Sequence, residues 1–190
     1  MEAMKFIFCL AVAFCMMAAA TSSPSRDATK NPRISDWTAI NETFYIKWRD
    51  YNVTTSNRCH SATKKSGSGK NFVFTLGVQY KRRGPLYLYD TNLTTLATRG
   101  HKEDNAAMYK FGPGYPEVVR ELIYSNPDEG CFILKEDLGD GKAGCQLVQK
   151  ASTIDEGVPG GCKKAYTENC SRDKSTLYKE SCKNVSDIIR

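Results

Sequence analysis

The sequence predicts an all-β domain of antiparallel strands, secreted and stapled by disulfides. Three observations predict it. Apolar and polar residues alternate with period two along several short segments. Clusters of Gly, Pro, Asn and Asp separate most of those segments. Six cysteines lie beyond an N-terminal stretch with the features of a secretory signal.

The N-terminal stretch comes first. Lys5 closes a short polar start, Phe6–Met17 is apolar, and Ala18-Ala19-Ala20 supplies small residues. This order reads as a signal peptide over residues 1–20, cleaved near Ala20. The rival, a buried N-terminal helix, would show polar residues within the run, and none occur. The run is shorter than the roughly 20 apolar residues that cross a bilayer, and no later segment approaches that length, so no membrane anchor is expected. Residues 21–33 are polar, carry Pro24 and Pro32, and read as a flexible lead-in. The domain proper is residues 34–190.

Cleavage removes Cys9 and Cys15 and leaves Cys59, Cys131, Cys145, Cys162, Cys170 and Cys182. An even number behind a signal peptide implies a disulfide framework. Zinc would want cysteines two to four residues apart, or histidines at matching spacing. The nearest pair is Cys162 and Cys170, and the chain has only His60 and His101. Six cysteines allow many connectivities, and spacing does not choose among them. Asn-X-Ser/Thr acceptors at Asn41, Asn52, Asn92, Asn169 and Asn184 agree with secretion and predict N-glycosylation. The formal net charge of +6 is scattered in short clusters such as Lys81-Arg82-Arg83. Nucleic-acid binding would want a basic stripe on a recognisable module, so it is excluded.

The individual elements are read in chain order. Ile34–Ile40 suggests a short helix with Ser35 as N-cap. Phe44, Ile46 and Trp48 share one face of a strand. Phe72, Phe74, Leu76, Val78 and Tyr80 alternate with Val73, Thr75, Gly77 and Gln79, which is the clearest strand pattern in the chain. Leu86–Tyr89, Ala106–Phe111, Val118–Tyr124, Cys131–Lys135 and Gly144–Gln149 are further strands. Asp140-Gly141 predicts a type I′ hairpin between the last two. Many antiparallel strands at close spacing point to a barrel or a sandwich. Gly160–Ser171 and Thr176–Cys182 are polar and do not alternate; they read as a short helix and a tail pinned by disulfides.

Catalytic patterns are weak. Ser66-Gly67-Ser68-Gly69-Lys70 lacks phosphate-loop spacing and reads as a loop tip. There is no Gly-X-Ser-X-Gly elbow. His60 and His101 each read as a surface or strand histidine. Glu136, Asp137 and Asp140 fail the calcium-loop pattern. A binding protein is therefore favoured over an enzyme, with no cofactor and no metal.

Several stretches together resemble the tick salivary lipocalins of the histamine-binding family. They are Asp36-Trp37, Phe44-Tyr45-Ile46, Arg58-Cys59, Leu122-Ile123-Tyr124-Ser125, Cys131-Phe132-Ile133-Leu134, Cys145-Gln146-Leu147, Cys162 with Tyr166, Cys170, and Tyr178 before Cys182. The cysteine frame is the most specific part of this resemblance. It implies an eight-stranded antiparallel barrel with a helix packed outside, and bridges Cys59–Cys182, Cys131–Cys162 and Cys145–Cys170. Such a barrel has room for one small ligand. It further implies stoichiometric capture of a small host mediator by a monomer, blunting inflammation or immunity.

The ligand class is read from departures. Amine-binding members typically carry Asp after the cysteine of the Cys131 strand and Glu-Leu-Trp/Tyr in the later strand. Here Phe132 and Gln146-Leu147-Val148 stand there. A cationic amine needs a carboxylate in a dry barrel, because an unpaired buried charge is costly. Asp36 and Trp37 resemble the family's pair near the mouth, Tyr109 its pocket tyrosine, and Glu121 lies near a pocket acid. Loss of both motif acids biases the pocket toward an apolar ligand, such as a lipid mediator, fatty acid or sterol. Its expected lining is Phe72, Phe74, Leu76, Tyr109, Phe111, Phe132 and Leu134. The alternatives are a histamine or serotonin binder, and an immunomodulator acting on host proteins or immune cells through its surface, as in the japanin-like group.

Overall fold

The computed structural model describes residues 31–189. The signal segment, with Cys9 and Cys15, and most of the lead-in lie outside the described residues. Eight strands close into an antiparallel barrel: β1 (Phe44–Arg49), β2 (Arg58–Ser68), β3 (Asn71–Gln79), β4 (Leu86–Leu96), β5 (Ala106–Lys110), β6 (Glu117–Asn126), β7 (Cys131–Gly139) and β8 (Lys142–Lys150). Each pairs with the next, and β8 returns to β1. The clean period-two run is β3, whose Phe72, Phe74, Leu76 and Val78 face inward and are buried, whereas Tyr80, expected on the same face, lies past the strand end in a 3₁₀ turn and is exposed. At the β7–β8 hairpin Asp140 and Gly141 have φ of +52° and +70°, as a type I′ turn requires.

β4, β6, β7 and β8 run longer than their patterns predict, and β2 extends from the Arg58-Cys59 start to Ser68. β4 continues from Tyr89 to Leu96 because Thr91, Leu93 and Thr95 keep the inward phase, and threonine suits a strand. Ser66, Gly67 and Ser68 are not a loop tip but the end of β2; the turn is Gly69-Lys70. Gly67 is obligatory there: at φ +109°, a Cβ would sit 2.4 Å from the Asn71 carbonyl oxygen.

Bulges break the alternation once in β1, twice in β2, once in β6 and, beside its hairpin, once in β7. A bulge adds one residue to one strand and reverses the facing of the residues beyond it. In β1 it lies between Ile46 and Trp48, so Trp48 does not share the face of Phe44 and Ile46. Trp48 turns outward onto Tyr166, with ring centroids 5.5 Å apart, and Arg49 turns inward. In β6 it sends Tyr124 outward and Ser125 inward.

One end of the barrel is closed by α1 (Ser35–Thr38). Ile34, not Ser35, takes the N-cap position, and no side chain caps the helix. Ile34 is buried instead, its backbone N–H donating to Asp104 O at 2.9 Å. Trp37 plugs the barrel, stacked on Phe74 (5.4 Å) and edge-on to Phe44 (5.9 Å). Lys64 Nζ reaches across to donate to Thr38 O at 2.8 Å. The loops after β1, β3, β5 and β7 surround the opposite, open end.

The three disulfides pair Cys59 with Cys182, Cys131 with Cys162, and Cys145 with Cys170. The latter two hold α2 (Gly160–Asn169) against the outer face of β6–β8, where Tyr166 packs with Ile133 and Leu147. The first pins the tail. Two short strands at either end of that segment were not predicted. β9 (Ser175–Thr176) pairs with the end of β1, beyond the point where β2 diverges, and β10 (Asp187–Ile189) lies parallel to the start of β4.

The Cys59–Cys182 bridge closes a loop with a sequence separation of 123, so its removal should be felt strongly. Replacing both cysteines by alanine is expected to lower the unfolding free energy by about 2–5 kcal/mol. Urea titration followed by circular dichroism checks this.

Candidate ligand-binding site

Two neighbouring cavities lie inside the barrel and share three lining residues. The deep one, of about 30 Å³, is walled by Trp37, Phe44, Ile46, Ala62, Leu76, Tyr109, Leu134, Gln146 and Val148. That volume takes a water molecule or two. The second, of about 310 Å³, opens at the mouth between Arg49, Tyr51, Val78, Tyr80, Tyr115, Val118, Arg120 and Glu136. This is the scale of a small-molecule site. His60, Tyr89 and Phe111 line both and form the collar between them.

The expected lining residues divide. Trp37, Leu76, Tyr109, Phe111 and Leu134 reach the deep cavity. Phe72, Phe74 and Phe132 face inward but are packed in the closed end, Phe132 edge-on to Phe44 at 5.6 Å. Gln146 and Val148, at the departed family motif, line the deep cavity.

The expected acids lie elsewhere. Asp36 is on α1 at the closed end, not near the mouth, because β1 starts at the closed end and α1 precedes it. Its carboxylate accepts from Ser125 Oγ at 3.1 Å and faces Arg33 Nη2 at 3.6 Å. Glu121 points outward: it accepts from Asn105 Nδ2 at 3.0 Å and sits 3.5 Å from His101. The pleat of β6 puts Val118, Arg120 and Leu122 inward and leaves Glu121 with the exposed Val119.

The polar groups that do face the cavity include several that no sequence motif singles out. Arg120 and Glu136 are opposite each other on β6 and β7, 2% and 7% exposed, with Nε and Oε2 2.6 Å apart. The Arg120 guanidinium lies 4.3 Å from the Tyr109 ring and 3.9 Å from the Phe111 ring, and donates to Tyr109 O at 3.1 Å. Arg49 stacks on the Tyr51 ring at 5.0 Å, and its Nε donates to Tyr51 O. Gln146 Nε2 donates to the Tyr51 hydroxyl. Burial pushes the Tyr51 and Tyr89 hydroxyls above their ordinary range, so both stay protonated.

His60 reaches the collar because of the first β2 bulge. Cys59 takes φ +56°, faces outward to its disulfide, and leaves His60 facing the barrel interior. Its Nε2 is buried and has no hydrogen-bond partner among the described residues. Burial, reinforced by the charges of Arg49 and Arg58, pushes its pKa down to about 3. The imidazole is therefore neutral at physiological pH. An Arg at the inward phase of β6 was a readable signal; Arg49 and His60 were hidden by bulges.

A closed eight-stranded calyx with one plugged end and one open, cavity-bearing end defines a lipocalin, a barrel that holds a small ligand. The family is set by the sequence. The chain matches the family model of the tick histamine binding protein over residues 24–184 and belongs to that family. No curated protein sequence matches it. Among solved structures it is similar to japanin from Rhipicephalus appendiculatus bound to cholesterol, at 13% identity and TM-score 0.56, covering 75% of this chain and 96% of that one. It is also similar to insecticyanin from the tobacco hornworm Manduca sexta, at 12% identity and TM-score 0.59, covering 85% and 90%. The cockroach allergen Per a 4 matches at 10% identity and TM-score 0.56, covering 82% and 96%. At these identities the likeness shows the fold.

The interior charges set two expectations. Glu136→Gln leaves Arg120 buried without its counter-ion and is expected to cost about 3–5 kcal/mol, read from urea unfolding at neutral pH. His60 has a folded pKa below its unfolded value of about 6.5, so below that value the unfolded chain holds the extra proton. Its contribution is complete above about pH 6.5 and is lost as pH falls toward the folded value, at up to about 1.4 kcal/mol per pH unit. His60→Gln is expected to flatten the stability profile between about pH 4.5 and 6.5, above the range in which Asp90, Asp104 and Asp155, all held below ordinary by hydrogen bonds from their neighbours, titrate.

Proposed function

We propose that this chain is a secreted, monomeric salivary protein that captures one small, largely apolar host mediator in its barrel and so dampens inflammatory or immune defence. The N-terminal signal pattern, the three disulfides and the exposed acceptors at Asn41, Asn52, Asn92, Asn169 and Asn184 support secretion as a glycoprotein. The observation that carries the ligand class is the state of the interior acids. Among the residues lining the two cavities, Glu136 is the only carboxylate, and Arg120 lies against it. A cationic amine entering the barrel would find no free counter-charge, and leaving it unpaired is costly. The aromatic and aliphatic walls suit a lipid mediator, a fatty acid or a sterol instead. Japanin, similar in fold, was solved with cholesterol.

Capture needs no reacting group. A histidine whose proton affinity is as low as that of His60 is a poor general base near neutrality, which agrees with binding rather than turnover. Native mass spectrometry of the secreted protein, intact and after solvent extraction, is expected to reveal a co-purifying lipid. Calorimetric titration of the extracted protein with histamine and serotonin is expected to give no submicromolar binding. Submicromolar affinity for either amine would overturn the apolar reading.

A further inference from the structure

The mouth cavity carries a charge that the protein does not balance. Arg49 is 5% exposed and lines it. Its Nε donates to Tyr51 O, and the one carboxylate of the cavity lining acts on it without a direct ion pair. Glu136, the one carboxylate among the described residues lining the two cavities, is 2.6 Å from Arg120 instead. Two guanidiniums and one carboxylate leave one positive charge in excess within a largely enclosed space. A buried charge without a counter-ion is costly to keep, so a site that retains one has a use for it.

A second observation points the same way. His60 Nε2, at the collar between the cavities, is buried and has no partner among the described residues. Its neutral ring offers one donor and one acceptor. Arg49 and His60 therefore present a charge without a direct ion pair and an unpartnered nitrogen to the same cavity, beside apolar walls from Val78, Val118 and Phe111.

We infer that Arg49, with His60 beside it, receives the acid head of an anionic amphipath whose tail lies along the collar toward the deep cavity. This rests on the capture reading above and narrows it from apolar ligands in general to those bearing a carboxylate or a comparable acid. Guanidinium pairs with carboxylate bidentately, and such charge-assisted bonds are about twice as strong as neutral ones. In this low-dielectric setting an uncharged ester or alcohol forfeits the Arg49 contact, and a cationic head is repelled. Tyr51 is a positioning residue: its ring supports the Arg49 plane, and its hydroxyl is fixed by Gln146.

The test uses full-length secreted protein after lipid extraction, titrated calorimetrically with laurate, methyl laurate, dodecylamine, cholesterol and histamine. Laurate is expected to bind about tenfold or more tightly than methyl laurate, and dodecylamine least of the three. Arg49→Gln is expected to bring laurate and its ester within about threefold of each other, whereas Arg49→Lys, which keeps the charge, retains most of the preference. Thermal melts of both variants check folding, and the wild-type acid-to-ester ratio decides the matter even where a variant does not fold. Equal affinity for laurate and methyl laurate, or cholesterol bound tightly and laurate not at all, would overturn the anionic head and leave lipid capture standing. Histamine bound with every lipid refused would overturn lipid capture and the anionic head together.

Discussion

The interior of this barrel depends on one cross-strand contact, the pairing of Arg120 on β6 with Glu136 on β7. Both side chains stand where the pleat would ordinarily put apolar residues, and both are almost fully buried. Neither charge would be tolerated there alone. The aromatic faces of Tyr109 and Phe111 complete the cage around the guanidinium. The pair thus holds the cavity's carboxylate against Arg120, walls one side of the mouth cavity, and leaves Arg49 with only a longer-range attraction to it. The electrostatic character of the whole site is decided by which of two arginines Glu136 sits against.

Much of the fold was legible because barrels write themselves in period two. β3 shows it best: four inward apolar residues at alternate positions need no tertiary information to assign. The Asp140-Gly141 turn was equally explicit, since few other dipeptides tolerate two left-handed residues. The second half of β4 and all but the start of β2 were harder. Their inward residues include Thr91, Thr95 and Lys64, so the hydrophobic signal fades although the hydrogen-bonded ladder continues. The cysteine pairing could not be read from spacing at all and came through the resemblance to a family.

The candidate site was less legible than the fold, for a local geometric reason. A bulge shifts the phase of a strand by one residue without changing its composition. Trp48 alternates correctly with Phe44 and Ile46 in sequence, yet the β1 bulge turns it out and brings Arg49 in. The first β2 bulge does the same service for His60, using the left-handed backbone of Cys59. Glu121 and Arg120 show the opposite case, in which simple alternation holds; Arg120 lies between the inward Val118 and Leu122, a signal the sequence carries although no motif points to it. The buried charges Arg49, Arg120 and Glu136 line the mouth cavity, and the β1 bulge is what brings Arg49 there.

The two ends of the barrel are built for different tasks. The closed end is dense: Trp37 sits among Phe44, Phe74 and Tyr109, and Lys64 ties the helix terminus across the opening. The bridges from Cys131 and Cys145 hold α2 against the outside of β6–β8, so the strands that carry Arg120 and Glu136 are backed by a second layer. At the open end, by contrast, the rim consists of loops bearing Tyr51, Tyr80 and Tyr115, with Tyr80 and Tyr115 largely exposed. A ligand can therefore enter only from the mouth, and the order of chemistry along its path is fixed: aromatic rim, charged cavity, histidine collar, narrow apolar floor. A molecule complementary to that order carries its polar group behind its leading apolar end, and the small volume of the floor limits how far that end can go before the neighbouring side chains must move.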